Sequence, residues 1–324
     1  MKLNVLLMVF LVLSSVLGGS LAGGLRKNFY RVTCPRAEDI VREVTSENVA
    51  KNPALPAKLL RMHFHDCFVR GCDGSVLLNS TATTTAEKDA IPNQTLSGFD
   101  AIDAIKEKVE SECPGVVSCA DILALAARDS IRYKYNKKDV WEVLTGRRDG
   151  RVSLLTEALA NIPSPFSNFT RLKQNFANKG LNVHDLVVLS GGHTIGLGHC
   201  NAFTNRLYNF TGKGDQDPSL DPIYAAFLKS KCAPNDRVTT VEMDPNSSLI
   251  FDSNYYKILK ANKGLFQSDA ALLTNRIARS TVEQLVHQYA FFKEFAQSMK
   301  RMGAVEVLTG TAGEIRKKCW VVNS

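Results

Sequence analysis

Residues 59–67 read Leu59-Leu60-Arg61-Met62-His63-Phe64-His65-Asp66-Cys67. Pro56 before this stretch and Gly71 after it are boundary signals for a predicted helix. Arg61 and His65 are four residues apart and share one face of that helix, whereas His63 and His65 point about 200° apart. The spacing therefore disfavours a zinc site that uses both histidines, and it places Arg61 beside His65.

The pairing of Arg61 with His65 suits the chemistry of peroxides. One group moves a proton, and the other stabilises the negative charge that develops as the oxygen–oxygen bond breaks. A surface helix that carries an incidental arginine and histidine is the alternative that such a short motif leaves open.

The turn after this helix is rich in oxygen donors. Five residues offer oxygens, namely the side chains of Asp66, Asp73 and Ser75 and the carbonyls of Val69 and Gly71. Calcium takes about six to eight oxygen ligands from loops of this kind. Cys67 and Cys72 are close enough in sequence to close the turn with a disulfide. A solvated polar turn is the alternative, and the spacing alone does not decide between the two.

A second candidate site surrounds His193 in Gly191-Gly192-His193-Thr194-Ile195-Gly196, after the amphipathic run 185–190. The glycines remove side-chain bulk beside His193, so a large flat ligand could approach closely. A single histidine can ligate haem iron. A histidine held by the core or by a helix C-terminus is the alternative.

Helical periodicity predicts one mostly α-helical domain with long connecting loops. Helices are predicted at 39–49, 99–109, 118–131, 167–179, 183–189, 224–231, 254–261 and 280–302. Loops are expected at 71–74, 81–85, 212–218 and 233–246. The helix at 118–131 is apolar on most sides and is expected at the centre of the domain.

Residues 1–22 are expected to be a secretory signal peptide that is removed from a domain of residues 23–324. Lys2 supplies a positive start, residues 3–17 are almost wholly apolar, and small residues lead up to Ala22. A membrane anchor is disfavoured, because about 15 apolar residues fall short of the ~20 that span a bilayer.

Eight cysteines, an even number, predict four disulfides in an exported chain. N-glycosylation sequons, which agree with export, begin at Asn79, Asn93, Asn168, Asn209 and Asn246. The net charge is +8, but the basic residues are scattered. This distribution disfavours nucleic acid as a partner and makes anionic cell-wall polysaccharide a candidate.

The motifs around His65 and His193 resemble the distal and proximal haem signatures of the secretory plant peroxidases, called class III. Further matching stretches are Asn28-Phe-Tyr-x3-Cys34-Pro, Val117-Ser-Cys119-Ala-Asp121-Ile, Gly146-Arg147-Arg148-Asp149-Gly150, Gly264-Leu-Phe-Gln-Ser-Asp269 and Ile315-Arg-x2-Cys319-x-Val-Val-Asn. The resemblance covers the whole of the expected mature chain. It implies the plant-type haem peroxidase fold, a helical bundle with haem between distal and proximal halves and long loops pinned by disulfides.

The resemblance implies a role for each matching residue. On the distal side these are His65 as acid–base catalyst, Arg61 as its cationic partner, Phe64 as the aromatic residue over the haem, Asn93 as the residue that orients His65, and Glu87 as the support of Asn93. On the proximal side they are His193 as iron ligand and Asp269 as acceptor of the other ring proton of His193. Pro163 matches the proline at the substrate edge.

The resemblance also implies one haem b and two calcium ions as cofactors. The distal calcium would use Asp66, Val69, Gly71, Asp73, Ser75 and Glu87. The proximal calcium would use Thr194, Asp244, Ser247, Ile250 and Asp252. The implied disulfides are Cys34–Cys113, Cys67–Cys72, Cys119–Cys319 and Cys200–Cys232.

Three features depart from the family pattern. The segment Tyr135-Asn-Lys-Lys-Asp-Val-Trp141 stands where a Gly-Gly-Pro turn is usual. Ser247 replaces a commoner threonine, and its hydroxyl should still serve calcium. Asn93 lies in a sequon, but it is expected to be buried and to carry no glycan.

A protein of this family would reduce hydrogen peroxide while it oxidises small phenolic donors, as a monomer with neither nucleic acid nor a membrane as partner. No apolar extension follows Cys319, which favours the cell wall space, or apoplast, over the vacuole. An intracellular ascorbate-type peroxidase is disfavoured by the signal segment and the eight cysteines. A matrix-binding calcium protein without catalysis is disfavoured by the joint presence of Arg61, His65, Asn93, His193 and Asp269.

Overall fold

The computed structural model describes residues 24–135 and 138–324, so the predicted signal segment, residues 1–22, lies outside the described residues. The helices are α1 (Ala37–Lys51), α2 (Leu55–Phe68), α3 (Phe99–Glu112), α4 (Cys119–Lys134), α5 (Leu155–Asn161), α6 (Phe169–Asn178), α7 (Val183–Ser190), α8 (Thr204–Tyr208), α9 (Pro222–Lys231), α10 (Asn254–Lys260), α11 (Gln267–Ala271), α12 (Arg276–Leu285) and α13 (Gln288–Met302). Strands β1 (Leu197–His199) and β2 (Thr240–Glu242) pair antiparallel. The prediction of a mostly α-helical fold is confirmed.

Helix α4 lies at the centre of the first half of the molecule, as its apolar sides predict. Ser118 caps it by accepting a hydrogen bond of 3.1 Å from the Asp121 amide, which satisfies one of the free amides of the first turn. Ile122, Leu123 and Leu125 are fully buried. Helices α1, α2 and α3 pack around α4. The helix that carries Arg61 and His65 is thereby held against the core.

The second half of the molecule forms around α7. A capping box fixes its start, because Asn182 accepts from the Asp185 amide at 3.0 Å and Asp185 accepts from the Asn182 amide at 3.1 Å. Helices α12 and α13 pack on α7, and α10 packs on α12. This packing fixes the end of α7 and therefore the 3₁₀ turn 191–194 that carries His193.

The prediction of a single helix over 280–302 is wrong, because α12 ends at Leu285 and α13 begins at Gln288. His287 has an extended backbone, with φ −81° and ψ 117°. The Val286 carbonyl at this break accepts a hydrogen bond of 2.9 Å from the Ser253 hydroxyl. The apolar periodicity continues on both sides of the break, so the sequence pattern did not reveal the break. Similarly, β2 lies within a segment that was expected to be a loop.

Four disulfides pin the long connections, and their pairing is the one that the resemblance implies. The bonds are Cys34–Cys113, Cys67–Cys72, Cys119–Cys319 and Cys200–Cys232. The third bond joins residues 200 positions apart and ties the start of α4 to the C-terminal segment. Cross-links over long stretches restrict the unfolded chain most. Within the described ranges, every helix is too short or too polar to cross a membrane.

Candidate active site

Helix α2 directs its two histidines to different surroundings. His63 is buried, and its Nδ1 lies 3.6 Å from Cys67 Sγ. His63, Asp66 and Cys67 lie close together, but Cys67 is bonded to Cys72 and offers no thiolate to a metal. His65 instead faces a loop that follows α2 in the chain, so the two rings do not share a site.

We expect the buried His63 to make the fold sensitive to acid. Burial, and then the charge of Arg147, lowers the pKa of His63 to about 3. Because an unfolded histidine titrates near 6.5, the unfolded chain takes up this proton first. The free energy of unfolding is therefore unaffected above about pH 6.5 and falls between about pH 6.5 and pH 3, by about 1.4 kcal/mol per pKa unit. Denaturant unfolding of the wild type and His63→Gln at about pH 7 and pH 4.5 checks this. Equal losses in both proteins would contradict it.

The orientation of His65 is set by Asn93. His65 Nδ1 lies 2.6 Å from Asn93 Oδ1, and Asn93 Nδ2 donates to the Glu87 carbonyl at 2.8 Å. Since Nδ2 is the donor to that carbonyl, Oδ1 must be an acceptor, and His65 carries its proton on Nδ1. The Nε2 atom of His65 is left as the base. Asn93 is 1 % exposed and its Nδ2 is engaged, which supports the expectation of no glycan.

His65 is held in its neutral form. Burial, and then the positive charge of Arg61, lowers its pKa to about 3, against the opposing effect of the Asn93 hydrogen bond. A neutral imidazole with a free Nε2 can accept a proton and return it. His65 is therefore able to act as a general base throughout the neutral and mildly acidic range.

Arg61 is fixed beside His65 by the loop that carries Asn93. Its guanidinium donates to the Pro92 carbonyl at 2.7 Å and to the Thr95 hydroxyl at 3.0 Å. Burial lowers the pKa of Arg61 to about 10, so it stays charged at neutral pH. Thr95 was not predicted as a site residue; its only sequence signal was its place in the Asn93 sequon. Phe64 packs on this face, with its ring centroid 5.6 Å from that of His65.

On the other side, His193 is anchored by Asp269, in the first turn of α11. His193 Nδ1 lies 2.8 Å from Asp269 Oδ1, and the Phe266 amide donates to Asp269 Oδ2 at 2.8 Å. Burial favours a raised pKa for Asp269, but the neighbouring His193 and these hydrogen bonds outweigh it and lower the pKa. The carboxylate is therefore charged and withdraws the Nδ1 proton of His193.

Tyr255, in the first turn of α10, is a further member of this site that the sequence analysis missed. Its hydroxyl donates to Asp269 Oδ1 at 2.8 Å, the same oxygen that faces His193. Tyr255 is fully buried between elements that are distant in sequence. No motif joined it to Asp269, so only the fold could reveal the contact.

We expect Tyr255→Phe to lower the reduction potential of a bound haem iron. Without the Tyr255 hydrogen bond, Asp269 Oδ1 accepts more strongly from His193, and a more anionic imidazole favours the oxidised iron. Tyr256→Phe is the matched control, because the Tyr256 hydroxyl donates to a main-chain carbonyl, that of Val187 or Val188, and not to Asp269. Spectroelectrochemical titration measures the shift. An unchanged or raised potential in Tyr255→Phe would contradict the argument.

The two glycines before His193 serve different purposes. A Cβ atom at Gly191 would collide with the Tyr256 hydroxyl and lie 2.6 Å from the Phe291 ring. At Gly192 it would only touch Leu60, at 3.7 Å. The expectation that glycine leaves room for a flat ligand therefore fits Gly192 and is wrong for Gly191, where close packing against α10 and α13 requires glycine.

The predicted distal calcium residues form a buried oxygen cluster beside His65. Asp66, Asp73 and Glu87 are all buried. Burial and then the nearby Asp73 raise the pKa of Asp66, and burial raises the pKa of Glu87 to about 9. Ser75 Oγ and both Glu87 carboxylate oxygens are buried and find no hydrogen-bond partner among the residues that the structure describes. Oxygens left unpaired in this way fit a hard cation.

The predicted proximal calcium residues converge beside His193. The Thr194 hydroxyl lies 3.1 Å from Asp244 Oδ2 and 3.1 Å from Asp252 Oδ1. One hydroxyl proton cannot serve both carboxylates at once. Ser247 and Ile250 lie on the turn between the two aspartates, and burial raises the pKa of Asp244 to about 6. This donor set also fits a hard cation.

Pro163 lies in the loop between α5 and α6 and is half-buried. The Pro165 carbonyl in that loop accepts from the Ser268 amide at 2.9 Å, next to Asp269. The loop with the predicted substrate-edge proline is thus tied to the helix that anchors His193.

The two histidines together fit a planar iron cofactor. Helix α2 contacts the turn 191–194, so the two rings come from adjoining elements. Each ring has Nδ1 anchored, and its Nε2 has no hydrogen-bond partner among the described residues. The His193 ring packs against Tyr255 and Phe266, at 5.8 and 5.3 Å, yet 35 % of its side chain is accessible. An imidazole fixed at Nδ1 and free at Nε2 is the arrangement of a haem ligand.

Comparison with known proteins agrees with this geometry. The family model described as Peroxidase matches residues 41–288. Peroxidase 3 of Arabidopsis thaliana is 55 % identical over 310 residues, which cover 94 % of each chain. Peroxidase 27 of the same plant is 56 % identical over 302 residues, which cover 93 % of this chain and 92 % of the relative. The chain therefore belongs to the peroxidase family, in its plant class III branch, and is an oxidoreductase that acts on peroxide.

Proposed function

We propose that this peroxidase binds one haem b through His193 and reduces hydrogen peroxide to water with Arg61 and His65, while it oxidises small phenolic donors one electron at a time. The observation that carries the proposal is the matched anchoring of the two histidines. Asn93 holds Nδ1 of His65 and Asp269 holds Nδ1 of His193, each at a short distance. One ring is left as a base and the other as a ligand.

The haem, when bound, supplies the electrons that cleavage of the peroxide bond requires. His65 Nε2 takes a proton from one oxygen of hydrogen peroxide and returns it to the other, which leaves as water. The Arg61 guanidinium stabilises the charge that develops on the departing oxygen, and fixed donors of this kind contribute about 3–4 kcal/mol. His193 holds the cofactor, and Asp269 raises the basicity of that ligand.

Donor phenols are proposed to bind near the loop of Pro163. The tie between this loop and α11 supports the idea, because the Pro165 carbonyl accepts from the Ser268 amide, next to Asp269, while Ser164 and Phe166 of the loop are exposed. A donor that delivers only electrons needs contact with such an edge and no closed pocket.

An absorbance scan of the purified protein, followed by turnover assays, tests the proposal. We expect a Soret band and peroxide-dependent oxidation of a small phenol. A protein that binds calcium but shows no Soret band after haem is supplied would instead be a binding protein without catalysis, and the proposed function would fail.

Two calcium ions are proposed to bind at the distal and proximal oxygen clusters. The distal cluster is connected to catalysis through Glu87, whose carboxylate lies in the cluster while its carbonyl holds Asn93. Asn93 in turn orients His65. A cation held there would fix the position of His65 through main-chain geometry.

We expect prolonged chelation to release about two calcium ions, a count that follows from the two oxygen clusters. Stability, haem absorbance and activity should fall together, because loss of cations leaves buried carboxylates uncompensated. Metal analysis, the Soret spectrum and turnover measure these effects, and calcium added back is the control. Full activity with an unchanged spectrum after verified removal would refute the coupling.

Export to the cell wall space, with removal of residues 1–22, is also proposed. The exposed positions of Asn79, Asn168, Asn209 and Asn246 support it, since exported sequons at the surface accept glycans. Imaging of a tagged protein and N-terminal sequencing of the secreted form test the proposal. Accumulation mainly in vacuoles would contradict it.

A further inference from the structure

A continuous series of ring contacts leads from His193 to the surface of the molecule. In order, the rings are those of His193, Tyr255, Tyr256, Phe291, Phe292 and Tyr135. Successive centroids are 5.8, 5.2, 5.4, 5.4 and 4.5 Å apart. Aromatic rings at these separations are in direct contact. The series joins the anchored proximal histidine to Tyr135, the first residue of the segment that departs from the family pattern.

The inner end of the series is suited to giving up an electron. A tyrosine that loses an electron also loses its hydroxyl proton. The Tyr255 hydroxyl donates a hydrogen bond to Asp269, which is therefore placed to accept that proton. The proton can move along this hydrogen bond and come back when the electron is replaced. Tyr255, Tyr256 and Phe291 are buried, with exposures of at most 1 %. A radical in this part of the series is therefore shielded from solvent.

The outer end opens onto a depression with a volume of about 510 Å³. Its lining includes Tyr135, Val140, Tyr289, Phe292 and Lys293. Tyr135 is half-buried, and Tyr289 is 83 % exposed. An apolar, aromatic depression that is open to solvent can accept a phenol ring that remains attached to a much larger molecule.

We propose that Tyr135 is a second site of donor oxidation, which serves phenolic polymers too large for the haem edge. This inference rests on the proposed function, which supplies the oxidant. Tyr135 loses one electron through the ring series and its hydroxyl proton to solvent, and it becomes a phenoxyl radical. A phenol end of the polymer then gives Tyr135 one hydrogen atom and becomes the radical. Two such cycles supply the two electrons and two protons that convert one hydrogen peroxide to two waters.

Phe291, Phe292 and Trp141 have different roles from the tyrosines in this path. Phenylalanine is harder to oxidise than tyrosine, so Phe291 and Phe292 act as a packed medium between tyrosines. Trp141 joins on a side branch, because its ring lies 5.8 Å from Phe295, which contacts Phe291 at 5.2 Å. Trp141 is 3 % exposed. Trp141 can hold an oxidising equivalent for a time, but its burial prevents direct contact with a polymer.

Tyr135→Phe tests the proposal, because the variant keeps the ring that packs on Phe292 and removes only the hydroxyl. Tyr133→Phe is the matched control, since Tyr133 is 37 % exposed, two residues away and outside the ring series. Both are compared with the wild type as holoenzymes, with free 2-methoxyphenol and with a methoxyphenol coupled to dextran as donors. A nitroso spin trap added with peroxide, followed by peptide mass spectrometry, locates the protein radical.

We expect Tyr135→Phe to lose oxidation of the dextran-bound phenol and the spin-trap adduct at residue 135, while oxidation of the free phenol is unchanged. Tyr133→Phe should behave as the wild type. Phe292→Leu, which interrupts the ring series, should weaken the adduct at Tyr135. Unchanged oxidation of the dextran-bound phenol by Tyr135→Phe, or an adduct only at Tyr133 or Tyr289, would overturn the inference. Failure of the wild type to oxidise even the free phenol would instead count against the proposed function.

Discussion

Replacing His65 with leucine is expected to slow the reaction with hydrogen peroxide by roughly 100- to 10,000-fold, the range over which acid–base groups act. Nε2 of His65 is the only atom of that side chain left to take up and return a proton, because Nδ1 is held by Asn93. Leucine fills similar space but moves no proton. Haem binding should persist, since the substitution leaves His193 and its bond to Asp269 in place.

Stopped-flow measurement of the reaction with peroxide, at matched Soret absorbance, checks this expectation. His184→Leu is the control, because this histidine is 37 % exposed and paired with Glu294 at 3.0 Å on another face. It should react as the wild type does. Near-normal peroxide reduction by His65→Leu would require the distal assignment to be withdrawn.

The sequence predicted those parts of the structure that depend on local periodicity. Helix α4 was expected at the centre because apolar residues cover most of its sides, and its leucines and isoleucines are indeed buried there. The break at His287 was not predicted, because apolar residues continue with the same spacing through α12 and α13. A break of this kind is stabilised by a distant partner, the Ser253 hydroxyl, and a partner of that kind leaves no local signal.

In the site, too, local spacing could be read from the sequence, whereas contacts between distant elements could not. Arg61 and His65 could be paired from their spacing on one helix. The resemblance implied that Asn93 and Asp269 face the two histidines, and the structure brings each pair within hydrogen-bond distance. Tyr255 was missed because its partner lies in another element. For Glu87, the support of Asn93 comes from a main-chain carbonyl, while the carboxylate faces the oxygen cluster. A side-chain role is visible in a sequence, whereas a carbonyl exists at every position.

His65 and His193 differ in chemical behaviour because different charged groups lie beside them. Burial of His65, and then the positive charge of the half-buried Arg61, lowers the pKa of His65 and keeps that ring neutral. A buried anion at Asp269 pulls on the Nδ1 proton of His193 and makes that ring a stronger ligand. Two residues of the same type therefore have opposite electrostatic surroundings, one suited to proton transfer and the other to holding a metal.

Replacing His193 with alanine should abolish stable haem retention, the second large effect that we expect. Among the described residues near this turn, the ring neighbours Tyr255 and Phe266 offer no free nitrogen, and the Tyr255 hydroxyl is already bonded to Asp269. The variant also leaves the buried Asp269 without its histidine partner. Loss of the Soret band after gel filtration, with helical content retained by circular dichroism, would separate loss of the ligand from loss of the fold.

Asp269→Asn is the intermediate case that tests the same assignment without removing the ligand. Haem should stay bound, because His193 is still present, but its reduction potential should shift upward, since an amide accepts the Nδ1 proton more weakly than a carboxylate. This direction is opposite to that expected for Tyr255→Phe. Asp269→Asn weakens the hydrogen bond that His193 Nδ1 donates to residue 269, whereas Tyr255→Phe strengthens it. If His193→Ala retained haem with an unchanged spectrum, His193 could not be the proximal ligand. If Asp269→Asn and Tyr255→Phe moved the potential in the same direction, the expected effect of the Tyr255 hydrogen bond on Asp269 would be wrong.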